Sequence, residues 1–272
     1  MMKNIGTLSG KVLVFGGVYS NLESLTVLKA IAEREQIPPQ NIVCTGDVVA
    51  YCADASACVE LVRNWGIHVI AGNVELQLRR GAEDCGCEFN ENSRCDIFSR
   101  NWYAYAQKQL TSADLDWMQT LPDFITFQYA NRKVTVVHGS YHHVSEYVFA
   151  STDWIVKERN FVDTESDVIL AGHCGLPFSE ERDGKLWLNS GVIGMPANDG
   201  TTRVWYAILK DDNDDFAHEL SSFQPDFQST IQKMITNQLP HEYARTLETG
   251  LWDNCEILPA SETKRQGNEL YF

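Results

Sequence analysis

The sequence predicts an α/β fold, and the main evidence is two short apolar segments separated by a helical pattern. Residues 41–44 and 67–71 have the composition of buried strands, and each runs into a glycine followed by a polar side chain. Between them, residues 56–65 place apolar side chains at helical spacing. A right-handed crossover makes the two strands parallel, so their carboxyl ends meet at one edge of the sheet. Because that edge holds the ligand in open α/β sheets, Asp47 and Asn73 are expected to face one site.

Length and composition favour one large domain. The 272 residues contain no linker rich in Pro, Gly and Ser and no internal repeat, so we expect a single domain over residues 1–272 with a helical C-terminal extension from about 225 to 272. No apolar run reaches the roughly 20 residues needed to cross a bilayer. The first ten residues lack the long apolar segment of a secretory signal. We therefore expect a cytoplasmic protein with no membrane partner.

The eight cysteines suit a reducing compartment, because they are scattered along the chain and do not form a dense disulfide scaffold. Cys85, Cys87 and Cys95 are close enough in sequence to suggest zinc. They have no second Cys/His pair at zinc-finger spacing, so a flexible loop is the favoured interpretation.

The net charge limits the partners that we expect. The chain has 22 basic and 37 acidic residues, which gives −15 at pH 7. A field of that sign repels phosphate backbones and anionic lipids unless a basic patch offsets it, and the sequence shows no such patch. We expect no nucleic-acid partner, and the sequence leaves the oligomeric state open.

The first half of the chain continues the alternation of strands and helices. Residues 11–17 form an apolar strand that runs into glycines, and Asn21 is suited to cap a helix with apolar residues at helical spacing from 22 to 32. The polar residues 81–92, rich in glycine and acids, are expected to form a loop over the site edge. Two helices are then predicted, over residues 95–110 and 112–121.

The second half of the chain is dominated by strands. The pattern predicts them over residues 124–129, 133–137, 167–171, 185–190, 203–209 and 217–222. The first two are expected to form a hairpin, and residues 191–200 a long connection. His138 follows the second strand and His173 follows the third, each beside a glycine. Beyond these strands the chain is expected to be helical to about residue 250 and irregular afterwards.

Four polar residues therefore share one position, just after an apolar strand and beside a glycine: Asp47, Asn73, His138 and His173. Taken singly, each is explained as an ordinary turn residue. Together, two imidazoles, a carboxylate and an amide oxygen make a mixed nitrogen and oxygen donor set. That set suits Zn, Mn or Fe(II) and does not suit a copper-type thiolate site.

The same residues carry a resemblance to the calcineurin-like metallophosphoesterase superfamily, and within it to the small bacterial phosphodiesterase and diadenosine-tetraphosphatase-like branch. The matching segments are Gly-Asp-Val-Val-Ala-Tyr at 46–51, Gly-Asn at 72–73, His-Gly-Ser at 138–140, Gly-His at 172–173 and Asn-Ser-Gly-Val-Ile-Gly-Met-Pro at 189–196. Residues 247–252 and 257–259 also resemble the tail of some members. The resemblance implies two packed mixed β-sheets flanked by helices, a four-layer αββα sandwich.

The resemblance also implies a metal site. In such proteins a bridging aspartate, here Asp47, is shared by two ions, and the second ion is completed by the residues matching Asn73, His138 and His173. All four are present and are the expected catalytic and metal-binding residues. We expect one divalent ion there, Mn, Fe, Zn or Mg.

The residues that would hold the first ion alone are missing. Where the resemblance implies an Asp-x-His motif the chain has Gly17 and Tyr19, and where it implies the second histidine of Gly-His-x-His the chain has Gly175. A phenol with a pKa of about 10 is a poor ligand, so we expect Tyr19 to fill the vacated space, with Cys174 a less favoured soft donor. The histidine of Gly-Asn-His is also absent, because Val74 stands there.

Two functions follow from this pattern. The first is a hydrolase of phosphate mono- or diesters, including nucleotides, acting on a phosphate-ester small molecule with one ion or with impaired activity. In it, one ion polarises a phosphoryl oxygen and lowers the pKa of a bound water to about 7. The alternative is a degenerate phosphoesterase fold that binds a phosphate-containing ligand or a protein partner without turnover.

Six further residues are candidates to line the pocket. Glu75 is placed either to hydrogen-bond an imidazole or to remain a solvated acid in the first turn of a helix. His142 and His143 lie in the loop after His138, which places one of them at the pocket mouth. The full set is Tyr19, Asn21, Glu75, His142, His143 and Cys174.

Overall fold

The computed structural model describes residues 1–212 and 215–272, which form two β-sheets with helices outside them. The strands are β1 Met2–Thr7, β2 Val12–Phe15, β3 Ile42–Cys44, β4 His68–Val69, β5 Phe124–Tyr129, β6 Arg132–Val136, β7 Val168–Ala171, β8 Pro177–Arg182, β9 Lys185–Ser190, β10 Val204–Asp212 and β11 Asp215–Phe223. The helices are α1 Leu22–Arg34, α2 Ala55–Trp65, α3 Asn73–Leu78, α4 Arg94–Gln109, α5 Ser112–Thr120, α6 Trp154–Thr164, α7 Gln228–Thr236, α8 His241–Thr249 and α9 Ala260–Thr263, with a short 3₁₀ turn at Pro39–Asn41. No helix in the described part of the chain is long and apolar enough to cross a membrane.

Both sheets are mixed. One has five strands in the order β11-β10-β2-β3-β4, and the other has six in the order β1-β5-β6-β7-β9-β8. In the five-stranded sheet β2, β3 and β4 are parallel and β10 is antiparallel to both of its neighbours. The predicted α/β sandwich of two packed sheets flanked by helices is confirmed.

The core explains why the strands read as continuous apolar runs. Along β2, Val12 and Val14 pack between the two sheets, whereas Leu13 and Phe15 pack against the outer helices. A strand covered on both faces has no solvent-facing side to carry polar residues. Burying each such aliphatic side chain stabilises the fold by about 1.5–3 kcal/mol.

The central strand-helix-strand unit forms as predicted, with a shorter second strand. β3 and β4 pair in parallel, with Val43 opposite His68, and Gly66 ends α2 in the left-handed conformation at φ +73°. The predicted strand over residues 67–71 is limited to two residues because the chain then leaves the sheet. The N–H of Ala71 donates to Pro122 O at 2.8 Å and no longer points to β3.

Four elements were not predicted from the sequence, and one of them is α9, which lies in the part after residue 250 that was expected to be irregular. β1 lies at the edge of the six-stranded sheet, pairs in parallel with β5 and is largely exposed. β8 lies at the opposite edge, and its sequence from Ser179 to Arg182 is polar or charged. α6 carries polar residues around most of its surface. Each of the other three is stabilised by a neighbouring element, and no apolar period marks it in the sequence.

Candidate metal centre

Four strands deliver the four predicted ligands to one place. Asp47 follows β3, Asn73 begins α3 just after β4, His138 follows β6, and His173 follows β7. The first two strands belong to the five-stranded sheet and the other two to the six-stranded sheet. The centre therefore lies where the carboxyl ends of parallel strands from both sheets meet, as expected for an α/β ligand site.

The imidazole of His138 is the centre of this cluster. Its Nε2 lies 3.0 Å from Asn73 Oδ1, 3.1 Å from His173 Nδ1 and 3.2 Å from Asp47 Oδ2. One ligand atom from each of Asp47, His138 and His173 lies within 4.8 Å of the others, and all three residues are buried.

The position of the proton on His138 indicates what kind of group this cluster can bind. Nδ1 lies 2.7 Å from the carbonyl oxygen of Thr45, which can only accept, so Nδ1 carries the proton. In the neutral ring, Nε2 then has a lone pair. That lone pair faces three other atoms that also carry lone pairs: Asp47 Oδ2, Asn73 Oδ1 and His173 Nδ1. Such groups repel one another unless a cation lies among them, and two nitrogens with two oxygens suit a divalent ion. The residues present therefore fit a metal.

The electrostatics favour the ligand forms of Asp47 and His173, whereas His138 is shifted toward its charged form. Burial raises the pKa of Asp47, but the neighbouring His138 more than offsets it and leaves that pKa below its usual value. Burial lowers the pKa of His138, and Asp47 reverses the effect, so the pKa of His138 is raised. Burial, helped by His138, lowers the pKa of His173 to about 3, so His173 is a neutral nitrogen donor.

Comparison with known proteins agrees with this geometry. A family model, the calcineurin-like phosphoesterase superfamily domain, matches residues 21–214. The chain belongs to that superfamily. Membership, which confirms the resemblance seen in the sequence, supports metal-dependent hydrolysis of phosphate esters as the general class of activity.

Three relatives extend the comparison over nearly the whole chain. An uncharacterized protein of Methanocaldococcus jannaschii is 27% identical over 254 residues, which cover 88% of this chain and 98% of the relative. A metallophosphoesterase from Sphaerobacter thermophilus superposes with a TM-score of 0.68 at 22% identity, covering 90% of this chain and 100% of that one. A hypothetical protein from Pyrococcus horikoshii superposes with a TM-score of 0.72 at 16% identity, covering 93% and 100%. The two structures share the fold of this chain.

Glu75 supports the centre in a way that the sequence did not suggest. It is fully buried, and its carboxylate accepts the backbone N–H of Asp47 and of Gly72 at 2.9 Å each and that of Val49 at 3.1 Å. The expectation of a bond to an imidazole, or of a solvated acid, is therefore wrong. The bonds hold Asp47 in a left-handed conformation, φ +54°, which is unfavourable for a residue with a side chain.

Two glycines let the ligand loops approach each other. A β-carbon on Gly72 would lie 2.1 Å from Asp47 Oδ1. Gly46 has φ +99°, and a β-carbon there would lie 2.6 Å from Gly72 N and 2.9 Å from His138 Nδ1. Side chains at either position would push Asp47 away from His138.

A loop lies over Asn73 and orients its amide. Asn73 Nδ2 donates to Cys85 O at 2.8 Å and to Cys87 Sγ at 3.2 Å, which turns Oδ1 toward His138. Residues 81–92 contain no helix or strand, as predicted, but Cys85 and Cys87 are buried, with their sulfurs 2.8 Å apart. Cys95 takes no part in this contact, and its Sγ lies 3.3 Å from Asn254 Oδ1. This role of the cysteine loop was missed in the sequence.

Side chains occupy the place that the resemblance assigns to a first ion. A β-carbon on Gly17 would lie 2.5 Å from Val192 Cγ1 and 2.7 Å from Tyr19 Cζ, so no aspartate fits there. A β-carbon on Gly175 would lie 3.4 Å from the ring of Trp252. Burial, followed by the charge of Asp47, raises the pKa of the Tyr19 phenol well above its usual value. Tyr19 is therefore a neutral group beside the cluster.

Cys174 and Asn21 have structural partners. Asn189 Nδ2 donates to Cys174 Sγ at 3.2 Å, although Cys174 still lines the pocket beside His173. Asn21 caps α1, because its Oδ1 accepts the N–H of Ser24 at 3.1 Å. Its Nδ2 donates to Gly194 O, so the expectation that Asn21 lines the pocket is wrong, whereas its capping role is confirmed.

The two neighbouring histidines also lie outside the cluster. His142 Nε2 lies 3.2 Å from Asp163 Oδ2, and His143 Nε2 lies 3.3 Å from Glu88 Oε1. Both are exposed, and neither lines the pocket beside Asp47 and His173. Neither stands at the mouth of that pocket, so the expectation is wrong, although His143 lines a separate open cavity together with Asn73.

Replacement of Glu75 should destabilise the whole protein. Glu75→Gln leaves at least one buried N–H without a carboxylate acceptor, which costs about 1–3 kcal/mol. Urea unfolding measures this loss. Glu60→Gln, on an exposed position of a helix, is the matched control and should change the free energy of unfolding by less than about 0.5 kcal/mol. Equal stability of the two variants would contradict the role given to Glu75.

Metal binding should depend on the cluster and stop at one ion. We expect Mn²⁺ titration calorimetry and elemental analysis to give about one ion per chain or fewer, because the neighbouring space is filled. His173→Ala should abolish binding, while His142→Ala, outside the cluster, should not affect it. Two fully occupied ions per chain would show that the first position is misread.

Proposed function

We propose that this protein is a cytoplasmic hydrolase of phosphate mono- or diesters that works with a single divalent ion. The observation that carries the proposal is the arrangement at His138 Nε2, which faces Asp47, Asn73 and His173 at 3.0–3.2 Å. These four residues would hold the ion. They carry one negative charge between them, so the loaded centre keeps a positive charge and attracts a phosphate group.

The chemistry divides between the ion and the chain. A divalent ion bound there would supply Lewis acidity toward a phosphoryl oxygen and a water of lowered pKa. Hydrolysis adds the oxygen of water to phosphorus, breaks the bond to the ester oxygen and leaves a proton on the departing alcohol. Tyr19 lies on the side where a second ion would be, and its hydroxyl has no hydrogen-bond partner among the described residues. We assign it the role of donor to a phosphoryl oxygen, which offsets part of the missing positive charge.

A second candidate is binding of a phosphate-containing ligand or a protein partner without turnover. The observation that favours it is the filling of the first-ion position by Tyr19 and Val192. Loss of one ion removes several kcal/mol of charge stabilisation in two-metal hydrolases. The two candidates differ in turnover and share the same ligands.

Turnover of bis-p-nitrophenyl phosphate with Mn²⁺ decides between the two. The wild-type protein should release p-nitrophenol above the rate of Mn²⁺ in buffer. Asp47→Asn should reduce the rate to that background, because it removes the only charged ligand of the cluster. His142→Ala is the control for a histidine outside the cluster. Equal background rates for the wild type and Asp47→Asn would reject the hydrolase and leave the binding protein.

The role of Tyr19 is tested by Tyr19→Phe, which removes the hydroxyl and keeps the ring in place. We expect kcat/KM to fall by about 10²–10³, the effect of losing one donor to a developing oxyanion. The Mn²⁺ content should remain that of the wild type, because Tyr19 is not assigned as a ligand. An unchanged kcat/KM with unchanged metal content would remove Tyr19 from the mechanism.

A further inference from the structure

A pocket lined by tyrosines opens beside the metal centre. Its cavity volume is about 90 Å³, and it opens to solvent on one side. Asp47 and His173 are among its lining residues. Tyr147 links the two regions, because its ring centroid lies 4.3 Å from that of His173.

The rings of three tyrosines form one continuous wall of this pocket. The Tyr19 and Tyr51 centroids are 4.7 Å apart in an edge-to-face arrangement, and the Tyr51 and Tyr243 centroids are 4.6 Å apart. Trp252 lines the same space. A wall of aromatic rings near a reacting phosphorus provides surfaces on which a flat ring stacks.

The hydroxyl groups of these tyrosines have no protein partner. Among the described residues, none forms a hydrogen bond with the hydroxyl of Tyr19, Tyr51, Tyr147 or Tyr243. By contrast, Tyr103 and Tyr105, outside the pocket, donate to backbone carbonyls at 3.2 and 3.1 Å. None of the four hydroxyls is among the buried polar atoms that lack a partner, so they are open to solvent and available to a ligand that enters the pocket.

The pocket is nearly neutral. None of the described residues that line it is Lys or Arg. Its second carboxylate, Asp253, is paired in a two-pronged contact with Arg94, at 2.7 and 2.9 Å. The pocket therefore has no cation to pair with extra phosphate groups and no free carboxylate, apart from the ligand Asp47, to pair with a cationic substrate.

We propose that this tyrosine-lined pocket binds an uncharged aromatic group esterified to a phosphate that carries a single negative charge, so that the substrate class is an aryl or nucleobase-bearing phosphodiester. The inference rests on the hydrolase function proposed above. The ring stacks on the tyrosine wall, and the free hydroxyls donate to the polar atoms of the ester. A polyphosphate is excluded because only one ion is available to balance its charge.

The test uses two phosphinates, which carry one negative charge and cannot be hydrolysed. Methyl(phenyl)phosphinate presents an aromatic ring, and dimethylphosphinate has the same charge without the ring. With the Mn²⁺-loaded wild type, calorimetry should show the phenyl compound binding about tenfold more tightly, the contribution of one stacked ring. Equal affinities, or no binding of either compound, would overturn the proposal.

Variants locate the effect in the pocket. Tyr243→Leu removes the half-buried ring and should abolish the preference for the phenyl compound, whereas Tyr243→Phe keeps the ring and should retain it. Tyr206→Phe, on a strand outside the pocket, is the control. A preference that survives in Tyr243→Leu would place the aryl group elsewhere and overturn the assignment.

A charge test completes the experiment and separates this inference from the hydrolase proposal. Diadenosine tetraphosphate offers aromatic rings with several negative charges and should compete less well than methyl(phenyl)phosphinate; stronger competition would overturn the single-charge class. Selective phenyl binding without turnover of any diester would keep the pocket and reject the hydrolase. Turnover without phenyl preference would keep the hydrolase and reject the pocket.

Discussion

The contact between two ligand loops is the constraint on which the centre depends. The loop after β3 and the loop after β4 approach so closely that a β-carbon on Gly72 would lie 2.1 Å from Asp47 Oδ1. Glu75 ties the two loops together through their backbone N–H groups. Its buried carboxylate therefore acts on the centre without touching a ligand atom of the cluster. A change in the conformation of either loop therefore also changes the positions of the ligand atoms.

Each of the two sheets supplies half of the side chains in the cluster. Asp47 and Asn73 bring oxygens from one sheet, and His138 and His173 bring nitrogens from the other. Any change in the packing of the sheets moves oxygens relative to nitrogens. The valines between the sheets, Val12 and Val14 among them, thus fix distances within the centre as well as stabilising the fold.

Much of the fold and the core of the site were predictable from sequence. The four ligands stand out because each follows an apolar strand directly, which places it at a known edge of the sheet. Edge strands such as β8 were missed because charged residues remove the apolar pattern. The role of Glu75 depends on amides contributed by a different loop, and no local pattern reports that. Tyr147 and Tyr243 reach the pocket through tertiary packing alone.

The occupation of the first-ion position by Tyr19 and Val192 changes how such a centre responds to metal supply. At low free metal, a site that needs two independently bound ions fills with the square of the metal concentration, whereas a site for one ion fills with its first power. A tyrosine is covalently part of the chain and is always present. With the single ion proposed above, the centre would have less positive charge than a two-ion site and would remain partly loaded when metal becomes scarce.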